Sequence, residues 1–157
     1  MAIPKKIVNF LDKSKIKYEI IEHKTVYTAF DKTQTLKVKP KIVGKTLILK
    51  EKKDLNVVLI PSNKNLDLSK LKKLGKFKKI DFVSEKEIKN RVKGVKVGNI
   101  PPFGNLWKFK TFIDRAIFKE KEIILNSGDY NFSIKIKPKD FEKLTPDFIS
   151  GSFTKAK

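Results

Sequence analysis

Residues 43–61 read VGKTLILKEKKDLNVVLIP. Val43 to Leu49 is an apolar run of strand length, the polar stretch EKKDLN is a turn, and Val57 to Ile60 returns as the hairpin partner, ended by Pro61. Upstream, Ile7, Phe10 and Leu11 fall at helical spacing within residues 4–15, with Pro4 suited to a first turn. Residues 18–22 read as a strand, and Thr28 caps a helix expected over 29–37, with Asp31 three positions on. Downstream come a short helix over 68–74, a strand over 79–83, and a helix to Val92 opened by the Ser84/Glu87 capping box. Gly94, Gly98, Pro101, Pro102 and Gly104 then require a constrained loop. Two more strands are expected near Phe109–Asp114 and Glu122–Leu125, a tight turn at NSGDYN, a strand at Phe132–Ile136 and a last helix from Pro138. The tail after Gly151 reads as frayed. This irregular alternation points to an α+β fold, a mixed sheet with flanking helices, in a single domain over residues 1–157.

Charge is the loudest compositional feature: 37 Lys+Arg against 17 Asp+Glu, a net +20. Such an excess attracts polyanions and speeds their encounter. Only Arg91 and Arg115 are arginines, so the cations suit phosphate backbones better than base edges. Genome bias towards lysine is the alternative source of the same excess. No stretch approaches the roughly 18–20 apolar residues of a membrane span. The N-terminus lacks the pattern of a secretory signal, which leaves the cytoplasm as the expected compartment. With one histidine and no cysteine, a zinc site of usual composition cannot be assembled, and neither metal nor cofactor is expected. Gly44-Lys45-Thr46 resembles the end of a P-loop but lacks the upstream glycine and precedes a strand, so that motif is rejected.

The candidate site residues each carry two readings. Lys45 opens a strand beside a glycine, where its ammonium is either drawn into a cleft or simply solvated. Gly98-Asn99-Ile100-Pro101-Pro102 either fixes backbone donors towards a ligand or carries Phe103 into the core. His23 ends a strand, as a ligand contact or as a histidine satisfied by its neighbours. Tyr27 and Thr28 line a pocket or cap the helix, and Ser127-Gly128 present a hydroxyl or merely close a turn.

Taken in order, these segments resemble the YbaK and prolyl-tRNA-synthetase-associated editing domains. The likeness is carried by Val43 to Leu49, by Leu66-Asp67-Leu68-Ser69-Lys70-Leu71, by Lys78 to Glu87, by Gly98 to Gly104, by Ile113-Asp114 and by Leu125 to Gly128. The resemblance runs from about residue 20 to 150. It implies a mixed, partly barrel-like sheet surrounded by helices. It also implies an aminoacyl-tRNA deacylase that clears mischarged tRNA in trans, with alanine or cysteine on tRNA-Pro as the leading substrates. The implied partners are tRNA and an aminoacyl-tRNA synthetase. By the same resemblance Lys45, Gly98 and Pro102 are catalytic positions, and His23, Tyr27, Thr28, Asn99, Ile100, Pro101, Ser127 and Gly128 surround the substrate. Two departures bear on the amino acid accepted: Pro101 stands where relatives usually have a small polar residue, and Thr28–Asp31 lacks the paired glutamates common there. Two rivals remain at this stage, an RNA-binding module that keeps the fold without turnover and a hydrolase of small esters.

Overall fold

The hairpin expected at 43–61 is the centre of the molecule. In the computed structural model, which describes residues 3–157, β2 (Gly44–Glu51) and β3 (Asp54–Pro61) pair along their whole length, from Gly44 opposite Pro61 to Glu51 opposite Asp54. The polar run therefore turns on Lys52 and Lys53 alone, and both strands are longer than their apolar runs. A five-stranded mixed sheet grows from this pair in the order β5-β2-β3-β6-β9, with β5 at Asp81–Phe82, β6 at Lys110–Asp114 and β9 at Ile149–Gly151. β3 pairs parallel with β6, and β6 parallel with β9. Every residue of β3 except Asp54 is buried. Its near-continuous apolar run fits a strand covered on both faces.

A second, antiparallel sheet joins β1 (Tyr18–Glu22), β8 (Phe132–Ile136) and β7 (Ile123–Asn126) in the order β1-β8-β7. A parallel bridge from Val43 to Ile124 stitches β7 to the foot of β2. Gly44 makes that approach possible: a Cβ there would lie 2.8 Å from Leu59 Cδ1 and 3.1 Å from Leu125 Cδ2. The sheets meet at this corner, but none of the three closes into a barrel, so the barrel-like expectation is corrected to separate mixed and antiparallel sheets.

The helices cover these sheets where their apolar spacing predicts. Ile7 and Leu11 of α1 (Lys5–Lys13) and Phe141 and Leu144 of α5 (Pro138–Leu144) share one core cluster with Leu59, Ile113, Leu125 and Ile134. Leu71 of α3 (Leu68–Gly75) packs with Leu49, Val58, Ile60 and Phe112 on the other side of the main sheet. Two caps named from sequence are formed: Thr28 Oγ1 accepts the Asp31 N–H ahead of α2 (Ala29–Leu36), and Ser84 Oγ that of Glu87 ahead of α4 (Glu85–Arg91); Asp67 Oδ1 adds a third by accepting the Lys70 N–H ahead of α3. Among the described residues no helix is long and apolar enough to cross a membrane.

The tail overturns its reading as frayed. Phe153 is 0% exposed within the cluster that holds Leu49 and Phe112, and its N–H donates to buried Asp114 Oδ1 at 3.0 Å. β10 (Thr154–Ala156) then pairs antiparallel with β4 (Lys64–Leu66), a three-residue strand with no alternation to announce it. Burying one phenylalanine is worth about 2 kcal/mol, enough to anchor a short segment that propensity alone leaves loose.

Candidate functional site

β2 begins at the wall of a cavity of about 560 Å³, lined by Gly44, Lys45 and Thr46 from that strand, Tyr27 to Phe30, Lys32 and Thr33 around α2, and Ser62 and Asn63 past β3. Gly98 and Asn99 from the constrained loop, Asn126 at the end of β7, and Pro40 and Lys157 complete it. Three lysines and no side-chain carboxylate contribute to this lining. The field inside is therefore positive and favours electron-rich oxygens.

Of the residues named from sequence, Tyr27, Thr28, Lys45, Gly98 and Asn99 meet on this cavity. Thr28 does so while also capping α2. Lys45 is exposed, as are Tyr27 at 64% and Phe30 at 71%, so a cation and two aromatic faces are open to solvent beside the cavity. Ile100, Pro101, Pro102, Ser127 and Gly128 are buried and do not line it. His23 lies apart as well: its Nε2 meets Ser133 Oγ at 2.9 Å and its Nδ1 meets Lys24 O at 2.8 Å.

Ser127 and Gly128 hold the wall from behind. Asn99 Oδ1 accepts both of their N–H groups, at 3.0 and 3.1 Å. Gly98 N–H donates to Tyr130 Oη, Lys96 N–H to Gly128 O, and Asn126 Nδ2 to Ile100 O. The loop at 96–100 and the turn at 126–130 are thus clamped face to face. Gly128 bends that turn with φ +100°, a conformation suited to glycine. The loop's own N–H groups are largely committed: Asn99 N–H donates to Lys96 O, and Pro101 and Pro102 have none. The free donor is instead the Asn99 side chain. Two N–H groups converge on one of its atoms, so that atom is the oxygen, and the NH2 of this lining residue is left without a hydrogen-bond partner among the described residues. Thr46 Oγ1 in the same wall is buried without a partner among the described residues.

Lys32, Asn126, Thr46 and Phe30 are site residues that sequence reasoning missed. Lys32 is 2% exposed, and its Nζ donates to Asn126 Oδ1 at 2.8 Å. Burial lowers its pKa from 10.5 to about 8. Below pH 8 the folded and unfolded chains both carry the proton, and folding bears the whole cost of the buried charge. Between about 8 and 10.5 the folded chain releases a proton the unfolded chain keeps, so stability rises with pH across that window. The gap corresponds to roughly 3 kcal/mol. Urea unfolding of the wild type and Lys32→Met at pH 7 and pH 10 is expected to find the wild type gaining about 2–3 kcal/mol on the variant. A difference independent of pH rules out the buried ammonium.

No curated protein matches the sequence. Among solved structures, the hypothetical protein APE2540 superposes with a TM-score of 0.85 at 18% identity, over 96% of this chain and 99% of its own. A candidate trans-editing enzyme for prolyl tRNA synthetase does so at 0.83 and 18%, over 97% and 96%. A chain from Marinobacter aquaeolei VT8 described as a signal transduction protein carries the fold in 31% of its length, at 0.73 and 17%. At these identities the structures establish the fold alone. The family model for the aminoacyl-tRNA editing domain matches residues 23–144, the segment that runs from His23 through the cavity lining at 27–30, 32–33, 44–46, 98–99 and 126, and the chain belongs to that family.

Proposed function

We propose that this chain is a trans-acting aminoacyl-tRNA deacylase that hydrolyses the ester of mischarged tRNA-Pro carrying alanine or cysteine. The observation that carries the reading is a chamber with three lysines, an amide whose NH2 is unpartnered among the described residues and no side-chain carboxylate, beside two exposed aromatic rings. An aminoacyl ester is already activated, so the site need only orient water, hold the ester and stabilise the charge that develops on its carbonyl oxygen. Water attacks the carbonyl carbon, the bond to the ribose oxygen breaks, and the water proton passes to that oxygen, with the neighbouring ribose hydroxyl available as relay. Lys45 and the Asn99 NH2 are the donors that meet the ester oxygens. Tyr27 and Phe30 offer faces on which the unpaired 3′ bases stack, and the +20 charge steers the polyanion in. The likeness to a candidate trans-editing enzyme for prolyl tRNA synthetase supports the choice of tRNA. Editing answers a known limit, since one methylene is worth only about 1–3 kcal/mol to a synthetase pocket.

The test is a deacylation panel on tRNA-Pro charged with alanine, cysteine, serine or proline. Turnover of the small mischarged esters with prolyl-tRNA-Pro spared is the expected result. Salt-sensitive binding of uncharged tRNA with no turnover on any ester would instead identify an RNA-binding module that keeps the fold.

A further inference from the structure

Lys32 belongs to a helix whose inward stripe is Ala29, Lys32, Thr33 and Leu36, so a cation occupies a position that packing would give to an apolar side chain. We propose that Lys32 is a specificity-determining residue, whose ammonium at the floor of the cavity selects aminoacyl esters with a hydroxyl on the side chain over the alanine ester. The proposal rests on the deacylase reading and revises its choice of amino acid, since it moves the seryl ester ahead of the cysteinyl and alanyl esters.

Three observations carry it. The ammonium has three N–H donors, and among the described residues Asn126 Oδ1 is the one acceptor it reaches. Asn126 cannot turn away, because its Nδ2 is held by Ile100 O at 3.3 Å. The ammonium is thus fixed with donor capacity to spare. Secondly, depth separates the substrate's parts. The exposed groups of the lining, Lys45, Tyr27, Phe30 and Lys157, mark the mouth, while Lys32 at 2% exposure marks the floor. A chamber of about 560 Å³ takes a small moiety and leaves the polynucleotide outside, so the aminoacyl group is what reaches the floor. Thirdly, charge decides which part of that group faces Lys32. The protonated α-amine is repelled by the ammonium, with no side-chain carboxylate in the lining to offset it. A side-chain oxygen is attracted. Serine supplies a hydroxyl acceptor, cysteine a weaker thiol, and alanine nothing, so the expected order is serine, cysteine, alanine.

The test compares kcat/KM for seryl-, cysteinyl- and alanyl-tRNA-Pro with the wild type, Lys32→Met and Lys32→Gln. Methionine conserves the volume and removes the buried charge, and glutamine keeps a shorter donor; circular dichroism and a thermal melt establish that each folds. The wild type is expected to favour the seryl over the alanyl ester by at least about tenfold, Lys32→Met to bring that ratio near one, and Lys32→Gln to fall between. A site that must hydrogen-bond its substrate penalises the analogue lacking the hydroxyl, whereas a purely structural lysine leaves the ratio unmoved. Turnover without discrimination by the wild type, or a ratio that survives in Lys32→Met, overturns the specificity role alone. Absence of turnover on every ester overturns the deacylase reading and this role with it.

Discussion

Replacing Lys45 by alanine is expected to lower single-turnover deacylation by about 10²–10³-fold while leaving the melting curve almost unchanged. The two halves of that expectation come from different features of one position. Lys45 pairs with Ile60 through its backbone, which alanine keeps. Its side chain is exposed, joins none of the hydrophobic clusters and makes no ion pair among the described residues. Truncation at such a site changes stability by about 0.5 kcal/mol or less. The activity is another matter. The side chain stands on the cavity wall, and a donor aimed where charge develops is worth far more in the transition state than in the free protein. Binding of uncharged tRNA should barely move, since one cation in an excess of twenty is lost. Lys45→Arg separates charge from shape: the guanidinium keeps the positive charge but replaces a compact ammonium with a rigid fork, so partial activity is expected. A Lys45→Ala protein that clears mischarged tRNA at the wild-type rate removes Lys45 from the mechanism.

Position in the sequence made Lys45 visible, while the property that makes Lys32 unusual was hidden by its surroundings. In a chain with 37 basic residues, one more lysine in a short helix reads as solvated. The signal was nonetheless present. Ala29, Lys32, Thr33 and Leu36 share one helical face, and the opposite positions, Phe30, Asp31 and Gln34, are the exposed ones. Taking the stripe as the inward face assigns Lys32 to the interior, despite the exposed phenylalanine that argues the other way. The central hairpin was legible because its apolar runs are long and bounded by charge. The pairing of the tail with β4 was not, because two three-residue strands carry no periodicity and their stability comes from Phe153 and Asp114, contacts made across the fold. The clamp between the loop at 96–100 and the turn at 126–130 was half legible: glycine and proline announced two constrained segments, but nothing local announced that they face each other.

That clamp converges on Asn99, where two substitutions are expected to separate architecture from chemistry. Asn99→Ala leaves the N–H groups of Ser127 and Gly128 without their acceptor in a buried setting. The expected cost is about 2–4 kcal/mol, or roughly 5–15 °C in the melting temperature, with activity lost alongside. Asn99→Asp differs. A carboxylate of the same shape still accepts both N–H bonds, and the lysines of the lining offset part of its burial. Stability should therefore stay within about 1 kcal/mol of the wild type. What changes is the second atom of the amide, where an oxygen anion replaces the NH2 donor that we place at the ester. An anion at the point where the ester oxygen gains charge opposes the transition state that the amide stabilises, so the rate is expected to fall by about 10²–10³-fold. Urea unfolding and single-turnover deacylation on the same two variants separate the outcomes. An Asn99→Asp protein that is folded and fully active means the amide faces no developing charge, and the donor must then be sought elsewhere in the wall, with the unpartnered Thr46 hydroxyl as the next group to test.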